Sequence, residues 1–524
     1  MLSLWICILS LLLVLLFKWD RKSQLPPGPK PLPLIGNIHQ LPSSSFLSLL
    51  QQWHTTYGPI ISIRIGAQVI VFLGSHHVAH EVMARQGAWC SSRPEIPFFK
   101  RILQIPLPSG LLPYGEKWKR HRRFQYSILN TQTTKSYRRD LELESTQVLW
   151  QMLESDDFET VSSRYAYNLA STLNFGQRSS EQDVAEIIEI QGLFIKNLIQ
   201  GFVGELLSTI LLFGSIPFIE TYLNWVLGWE NAGSKFTGRL RAFFTQHINN
   251  SIRNGHQQSW AQGMVHEAQK AQKAQESQES PETFENSRNW DEICLESFEV
   301  HMATSVTTQS SLSTFVLAAL LYPDAVAVVQ DELDAVIGPG RFPSFEDMPN
   351  LPRLNSFIKE VFRWRPLLPT SVPRVASKDM EYSDYRIPAG SVLVVSQSVI
   401  NIDKAMFEEP ELFQGDRYMK NPELPEPAAF GYGRRSCPGR HLARESTFIV
   451  ISRLLWGYKI APHPEDQNRN FDRVGSKVGF ALFWPASFRA TFQIRSPVHQ
   501  TTVEREIRDK CGKYGEGVEH MPVS

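Results

Sequence analysis

The stretch "FGYGRRSCPGR", residues 430–440, decides how the rest of this chain is read. It places Cys437 between glycines, just ahead of a segment with Leu442, Ile449 and Val450 at helical spacing. A thiol there meets free backbone N–H groups and the positive end of a helix dipole, which favour its thiolate. Gly433 and Gly439 are expected to let the backbone wrap closely around the sulfur. A lone cysteine before a helix is also a common core thiol, so the surrounding sequence has to separate the two readings.

The bulk composition removes several classes. The chain has 524 residues, enough to bury a large core. Its 53 Lys and Arg equal its 53 Asp and Glu, so nothing supports a nucleic-acid partner, which usually shows as a basic excess. The five cysteines, Cys7, Cys90, Cys294, Cys437 and Cys511, are odd in number and widely spread. They form neither a disulfide framework nor a zinc-type pair, which points to a reducing compartment. Helical patterns dominate from about Tyr114 to Ile337. "PIISIRIGAQVIVFLG" reads as a hairpin turning at Gly66-Ala67, and short strands return at "YRIPAGSVLVVS". A last strand pair is expected between "VGFALFWP" and "FRATFQI", and a loosely ordered polar tail after Val498. No internal repeat or second domain is visible.

A thiolate at the start of a helix is what a haem iron takes as an axial ligand. "FGYGRRSCPGR" resembles the F-x-x-G-x-R-x-C-x-G loop of the haem-thiolate monooxygenases, the cytochrome P-450 family, at every fixed position: Phe430, Gly433, Arg435, Cys437 and Gly439. "KEVFRWRP" resembles the family's E-x-x-R helix motif through Glu360 and Arg363. "FQGDRY" resembles its F-x-P-E-R-F segment, keeping Arg417 but carrying Gly415, Asp416 and Tyr418. The resemblance implies that Glu360, Arg363 and Arg417 form a structural triad behind the cysteine loop. It implies haem-propionate contacts for Trp118 and Arg122 in "YGEKWKRHRR", for Arg374 in "VPRV" and for Arg435. Lys117, Lys119, Arg120 and Arg123 remain as a basic cluster, either a solvated helix face or a docking surface for an acidic redox partner.

The resemblance runs over nearly the whole chain. It implies a mainly α, single-domain cytochrome P-450 fold with small β-sheets, a haem b cofactor with Cys437 as the metal ligand, and dioxygen activation. "GYGRRS" follows no βαβ unit and lacks the third glycine of a dinucleotide fingerprint, so electrons are expected from a separate NADPH-dependent flavoprotein reductase. The pattern is most similar to filamentous-fungal members that oxidise lipophilic secondary metabolites. A non-catalytic haem sensor or carrier, and a reductase-independent peroxide isomerase, stay open as other readings.

Residues 2–17 are apolar apart from two serines, and Lys18, Arg21 and Lys22 come directly after them. This reads as an uncleaved membrane anchor over 1–22, with the positive-inside rule placing the rest of the chain in the cytosol: a single-pass protein of the endoplasmic reticulum. A cleaved signal peptide is the competing reading, but no basic n-region or small-residue cleavage site is present. A proline-rich hinge occupies 23–36, then the catalytic domain 37–498 and the tail 499–524. "FGSIPFIETYLNWVLGW" is an apolar patch that either touches the membrane, roofs a pocket or is a buried connection. "PEIPFFKRILQIPLPSGLLPYG" and "VGFALF" are expected to wall a greasy pocket.

One motif departs from the family. On the helix expected to cover the oxygen side, the A/G-G-x-D/E-T-T pattern falls on residues 303–308. Ala303, Thr307 and Thr308 match, Thr304 replaces glycine, and Val306 replaces the acid that would pass protons to Thr307. Glu299 lies ~12 Å along the axis from Thr307 at ~1.5 Å per residue, too far for contact. The hydroxyls of Thr304, Ser305, Thr307 and Thr308 either hold a water chain or bond back to their own helix carbonyls. Hydroxylation, oxidative coupling or cyclisation, and peroxide rearrangement all fit; the retained Thr307 argues against the last.

Overall fold

The computed structural model describes residues 24–42, 46–96, 100, 106–211, 229–255, 259–276, 289–466, 476–478, 482–485 and 487–514. The expected anchor and residues 213–228 of the apolar patch lie outside the described residues. Among the described residues no single helix is long and apolar enough to cross a membrane.

Helix α1 (Phe46–Tyr57) leads into the hairpin of β1 (Ile60–Ile65) and β2 (Gln68–Leu73), with Ile60 opposite Leu73. Gly66, at φ +58°, makes the turn where the alternation places it. A helical run comes next: α2 (Glu116–Leu129), α3 (Arg138–Glu154), α4 (Phe158–Phe175), α5 (Glu181–Leu211), α6 (Trp229–Arg253), α7 (Trp260–Glu276), α8 (Trp290–Leu321), α9 (Pro323–Val336) and α10 (Pro352–Trp364). Strands return as β3 (Arg374–Val375), β4 (Met380–Tyr382), β5 (Tyr385–Ile387) and β6 (Val392–Val395). Strand β6 lies parallel beside β2, and β3 closes antiparallel on β6, giving the sheet order β1-β2-β6-β3. Helix α11 (Arg440–Gly457) precedes β7 (Tyr458–Pro462), β8 (Ser476–Val478), β9 (Leu482–Pro485), β10 (Ala490–Ile494) and α12 (Pro497–Tyr514). The architecture is mainly helical with small sheets.

Two expectations fail here. "VGFALFWP" and "FRATFQI" do not pair with each other. Strand β9 folds back on β8, while β10 pairs with β7, Ile494 opposite Tyr458. The described part of the tail after Val498, to Tyr514, is not loose either. Pro497 begins α12, and Val503 and Ile507 bury against the main core. Thr502 Oγ1 donates to the Pro339 carbonyl (2.8 Å), and the His499 ring packs on Trp456. Two apolar side chains one turn apart are enough to seat a mostly polar helix.

Helix α8 is the axis of the molecule. The Asn289 side chain caps its start by accepting from the Glu292 N–H (2.8 Å), and Pro323, which has no N–H to continue it, opens α9. It packs most extensively on α4, and also on α6 and α11. Helix α2 is tied to it by buried charge. His121 on α2 reaches Glu292 through Nε2 (2.7 Å) and Glu296 through Nδ1 (3.0 Å), while Arg120 and Lys117 also pair with Glu292 (2.6 and 3.3 Å). Of the basic cluster, Arg120 is thus largely turned in, while Lys119, paired with Glu116 (2.6 Å), and Arg123 stay at the surface.

A second buried charge group sets the cysteine side. Glu360 and Arg363, one turn apart on α10, exchange two hydrogen bonds of 2.7 Å, and Arg417 Nε donates to both Glu360 oxygens (3.1 and 3.2 Å). All three are buried. Their remaining donors grip carbonyls of the connecting segment: Asn401, Pro410 and Leu412 from Arg363, and Glu409 and Leu412 from Arg417. Asn401 carries the restraint onward, since its Oδ1 accepts from the Ala428 N–H (3.2 Å) at the head of the cysteine loop.

The α2–α8 pairing should show in the pH dependence of stability. Burial opposes charge on His121, but hydrogen bonds to Glu292 and Glu296 outweigh it and raise its pKa to about 9, against 6.5 for a free histidine. Burial also opposes charge on Glu292; His121, Lys117 and Arg120 outweigh it and lower the carboxyl to about 2, from 4.5. The His121 contribution is complete below pH 6.5 and is lost as pH rises through 9, whereas that of Glu292 is complete above 4.5 and is lost as pH falls through 2. His121→Gln should therefore remove a decline of about 3 kcal/mol in unfolding free energy on the alkaline side. Denaturant titrations at a series of pH values check this, and an unchanged alkaline slope in the variant would contradict it.

Candidate active site: one thiol, four arginines and an open helix face

The cysteine loop is built by short turns. A single helical turn, Ala428–Phe430, ends at Gly431 (φ +69°), and a second, Gly433–Arg435, starts with Gly433 at φ +62°. The Cys437 N–H donates to the Phe430 carbonyl (2.9 Å), closing the loop, and α11 begins three residues after the thiol. The Phe430 ring packs against Phe362 of α10 (centroids 5.5 Å apart). The expectation for the glycines needs correcting. A Cβ on Gly433 would lie 2.1 Å from the Met83 carbonyl, so this glycine lets the loop approach the helical segment His80–Arg85. A Cβ on Gly439 would sit at ordinary contact distance, 3.9 Å, from the Cys437 sulfur, so no crowding at the sulfur demands glycine there.

Cys437 is a free, half-buried thiol. Burial pushes its pKa up, opposed by the Gly439 N–H and by the charges of Arg122 and Arg440.

Beside the loop lies a concentration of cations. Arg122 Nη2 donates to the Ser436 carbonyl (2.7 Å), which ties α2 directly to the cysteine loop. The Arg435 guanidinium lies 4.2 Å from the ring centroid of Trp118 and donates to the carbonyls of Ser91, Ser109 and Leu112. Arg374, carried by β3, donates from Nη2 to the Tyr432 carbonyl (2.6 Å), while its Nη1 is buried with no hydrogen-bond acceptor among the described residues. Arg93 completes the group, donating to Gly110, Val372 and Pro373 carbonyls. Burial depresses all four guanidinium pKa values, and each feels other arginines besides: Arg93 feels Arg435 and Arg374, Arg374 feels Arg122, and Arg122 feels Arg440. For Arg435 burial, Arg374 and Arg122 bring the value down to about 9. Glu299 is the carboxylate that offsets the cations at Arg93 and Arg435. Guanidinium groups keep their protons and pair well with carboxylates, so such a cluster is suited to an anionic ligand.

Helix α8 supplies the opposite wall. It is buried along most of its length, yet Ala303 is exposed and Thr304, Val306, Thr307 and Ser311 are half-buried, so this face borders open space. The hydroxyls are already engaged. Thr304 donates to the Val300 carbonyl (2.8 Å), Ser305 to His301 (2.9 Å), Thr307 to Ala303 (2.6 Å) and Ser311 to Thr307 (2.8 Å). Thr304, Ser305 and Thr307 thus make the bonds back to helix carbonyls, which leaves their lone pairs free to accept. Thr308 is buried, a step round the helix from Thr307. His301 points away, into a buried nest with Ser171 and Phe175, where burial lowers its pKa to about 3.

The structure thus gathers Cys437, Trp118, Arg122, Arg374, Arg435 and the Glu360–Arg363–Arg417 group around one region. Two participants were not legible in the sequence. Arg93 sits in "SSRP", where nothing in the local pattern says that it points inward. Glu299 was set aside on distance, yet it accepts three hydrogen bonds from Ser109 and Gly110.

Comparison with known proteins agrees with this arrangement. The sequence model of the family described as Cytochrome P450 matches residues 26–482. Similar proteins include the cytochrome P450 monooxygenase aneD of Aspergillus aculeatus, 34% identical over 93% of this chain and 92% of its own. They also include the cytochrome P450 monooxygenase FrzL of a Cladobotryum species, 32% identical over 94% and 92%, and fumitremorgin C synthase of Aspergillus fumigatus, 31% identical over 95% of both. With the match spanning nearly its whole length and its relatives found in fungal secondary metabolism, the chain belongs to the cytochrome P450 family.

Proposed function

We propose that this chain is a haem-thiolate oxidase of a lipophilic secondary metabolite, drawing electrons from a separate NADPH-dependent flavoprotein reductase. The observation that carries the reading is the free thiol at the start of α11 beside four guanidinium groups, two of which feel the carboxylate of Glu299. Cys437 would be the axial ligand, and Arg93, Arg122, Arg374 and Arg435, with the Trp118 ring beneath Arg435, would receive the two propionates. Bound haem supplies the activation of dioxygen. The Glu360–Arg363–Arg417 group acts at one remove, holding the segment on which the cysteine loop rests.

The residues of α8 define what the protein itself contributes on the oxygen side. Thr307 has its proton committed to the Ala303 carbonyl, so its free lone pairs can accept a hydrogen bond from a water or from a polar hydrogen of the substrate. Val306 neither accepts nor donates. A proton then has to come from water held by the hydroxyls or from a phenol or amide of the substrate. This favours substrates that carry their own acidic hydrogen and leaves room for coupling or ring closure beside hydroxylation. At the N-terminus, the apolar run 2–17 with Lys18, Arg21 and Lys22 supports a single-pass anchor in the endoplasmic reticulum membrane with the catalytic region in the cytosol.

Three measurements test this. Cys437→Ser should abolish activity and remove the strongly red-shifted haem band of the reduced, carbon-monoxide-bound protein; a variant keeping both would overturn the ligand assignment. Val306→Asp offers the missing donor at the cost of burying a carboxyl, and should change severalfold the peroxide released per NADPH consumed or the ratio of products, with Thr307→Ala moving the same ratio. If neither does, protons do not travel along this helix face. Deleting residues 1–21 should release the protein from membranes at least in part; complete retention would put the lipid contact elsewhere.

A further inference from the structure

The Ser109–Gly110 peptide is held from both sides. On one side Glu299 of α8 takes its N–H groups: Oε2 accepts from Ser109 N (2.7 Å), and Oε1 accepts from Gly110 N (2.6 Å) and from Ser109 Oγ (2.9 Å). On the other side two of the four arginines take its carbonyls: Arg435 Nη1 donates to Ser109 O (3.2 Å) and Arg93 Nε to Gly110 O (2.7 Å). Gln125 of α2 adds a bond to Ser109 Oγ (2.7 Å). There is no slack in the fit, since a Cβ on Gly110 would come within 3.1 Å of Glu299 Oε1.

Placement gives this clamp a consequence. Glu299 lies four residues before Ala303 and seven before Val306, so at 3.6 residues per turn the three share one stripe of α8. That stripe is the face left open at Ala303. The clamped peptide belongs to the proline- and leucine-rich loop, with Gly110 exposed and Leu107 and Leu111 half-buried against the core. The loop is thereby fixed to the helix about two turns from Val306 and Thr307, and to the arginines on the cysteine side. Burial pushes the Glu299 pKa up, opposed by the bonds from Gly110 and Ser109; the carboxyl group spends its oxygens on two backbone N–H groups and a hydroxyl, the contacts of a strut.

We propose that Glu299 is a specificity-determining positioning residue: by holding the Ser109–Gly110 peptide between α8 and the Arg93/Arg435 pair, it sets the roof height of the substrate pocket. The proposal rests on reading the open face of α8 as the substrate side.

The test uses the haem-loaded, full-length protein and two readouts. The first is amide hydrogen exchange at Ser109 and Gly110, which needs neither substrate nor turnover. The second is the ratio of affinities for imidazole and for 4-phenylimidazole, a small and a bulky apolar probe, read from the haem spectrum. Glu299→Ala should raise exchange at both amides by about tenfold or more, as expected for the loss of charge-assisted hydrogen bonds. It should also weaken 4-phenylimidazole severalfold while leaving imidazole unchanged. Glu299→Gln, which keeps one carbonyl acceptor, should fall between Ala and the parent. Gly110→Ala approaches the clamp from the other side and should move both readouts in the same direction, so the idea stays testable if the alanine at 299 prevents folding. Parental exchange and an unchanged affinity ratio in both Glu299→Gln and Gly110→Ala would overturn it. A shift in exchange without a shift in the ratio would overturn the pocket role while leaving the clamp. Absence of the thiolate haem band in the parent protein would instead strike the reading of the whole site.

Discussion

A carboxylate sealed from water must be surrounded by donors, and Glu360 meets that demand with Arg363 and Arg417. Three charges at 0–2% exposure leave no room for a loose arrangement, because any of them left unpaired in the core would cost several kcal/mol. The two guanidinium groups present more donors than one carboxylate can accept. The surplus goes to carbonyls of Asn401, Pro410 and Leu412, and this pins an otherwise irregular segment. Through Asn401 and Ala428 the restraint reaches the cysteine loop. The thiol is thus held in place by a charge group that never needs to touch it.

The second constraint is the reverse case, charge gathered without its counterpart. Arg93, Arg122, Arg374 and Arg435 donate to backbone carbonyls, which neutralise no charge. Such a cluster is costly in a folded chain taken alone and becomes favourable when a dianionic ligand enters. The same carbonyl bonds have a structural by-product: they fix the Ser109–Gly110 loop and the Cys437 loop relative to each other. Anion affinity and pocket shape therefore draw on the same side chains.

Helix α8 shows how a polar run can sit in a protein interior. Each of Thr304, Ser305, Thr307 and Ser311 returns its proton to a carbonyl four residues back, so the hydroxyls cost little to bury; Thr304, Thr307 and Ser311 present acceptors rather than donors to the open face, while Ser305 is buried and accepts from Gln191. With valine at 306, that face lacks an acid of its own. The acid on the same stripe, Glu299, is occupied with backbone N–H groups.

Read alone, the residues carry short motifs, the cysteine loop, the Glu360–Arg363 turn and the Trp118/Arg122 pair, each lying within one helix turn or one tight loop. It is their resemblance to one family that attaches a chemistry to them and to Arg374. The hairpin at Gly66 was legible for the same reason. Tertiary packing, by contrast, settles which distant groups meet. Strands β9 and β10 chose partners other than each other, and α12 formed because Val503 and Ile507 found a core to enter. Lys117 and Arg120 pair with Glu292 of another helix. Glu299, remote from Thr307 along the helix, lies against a loop 190 residues earlier. No local pattern records such pairings, because the free energy that fixes them comes from burial and charge compensation between segments that only the folded chain brings together.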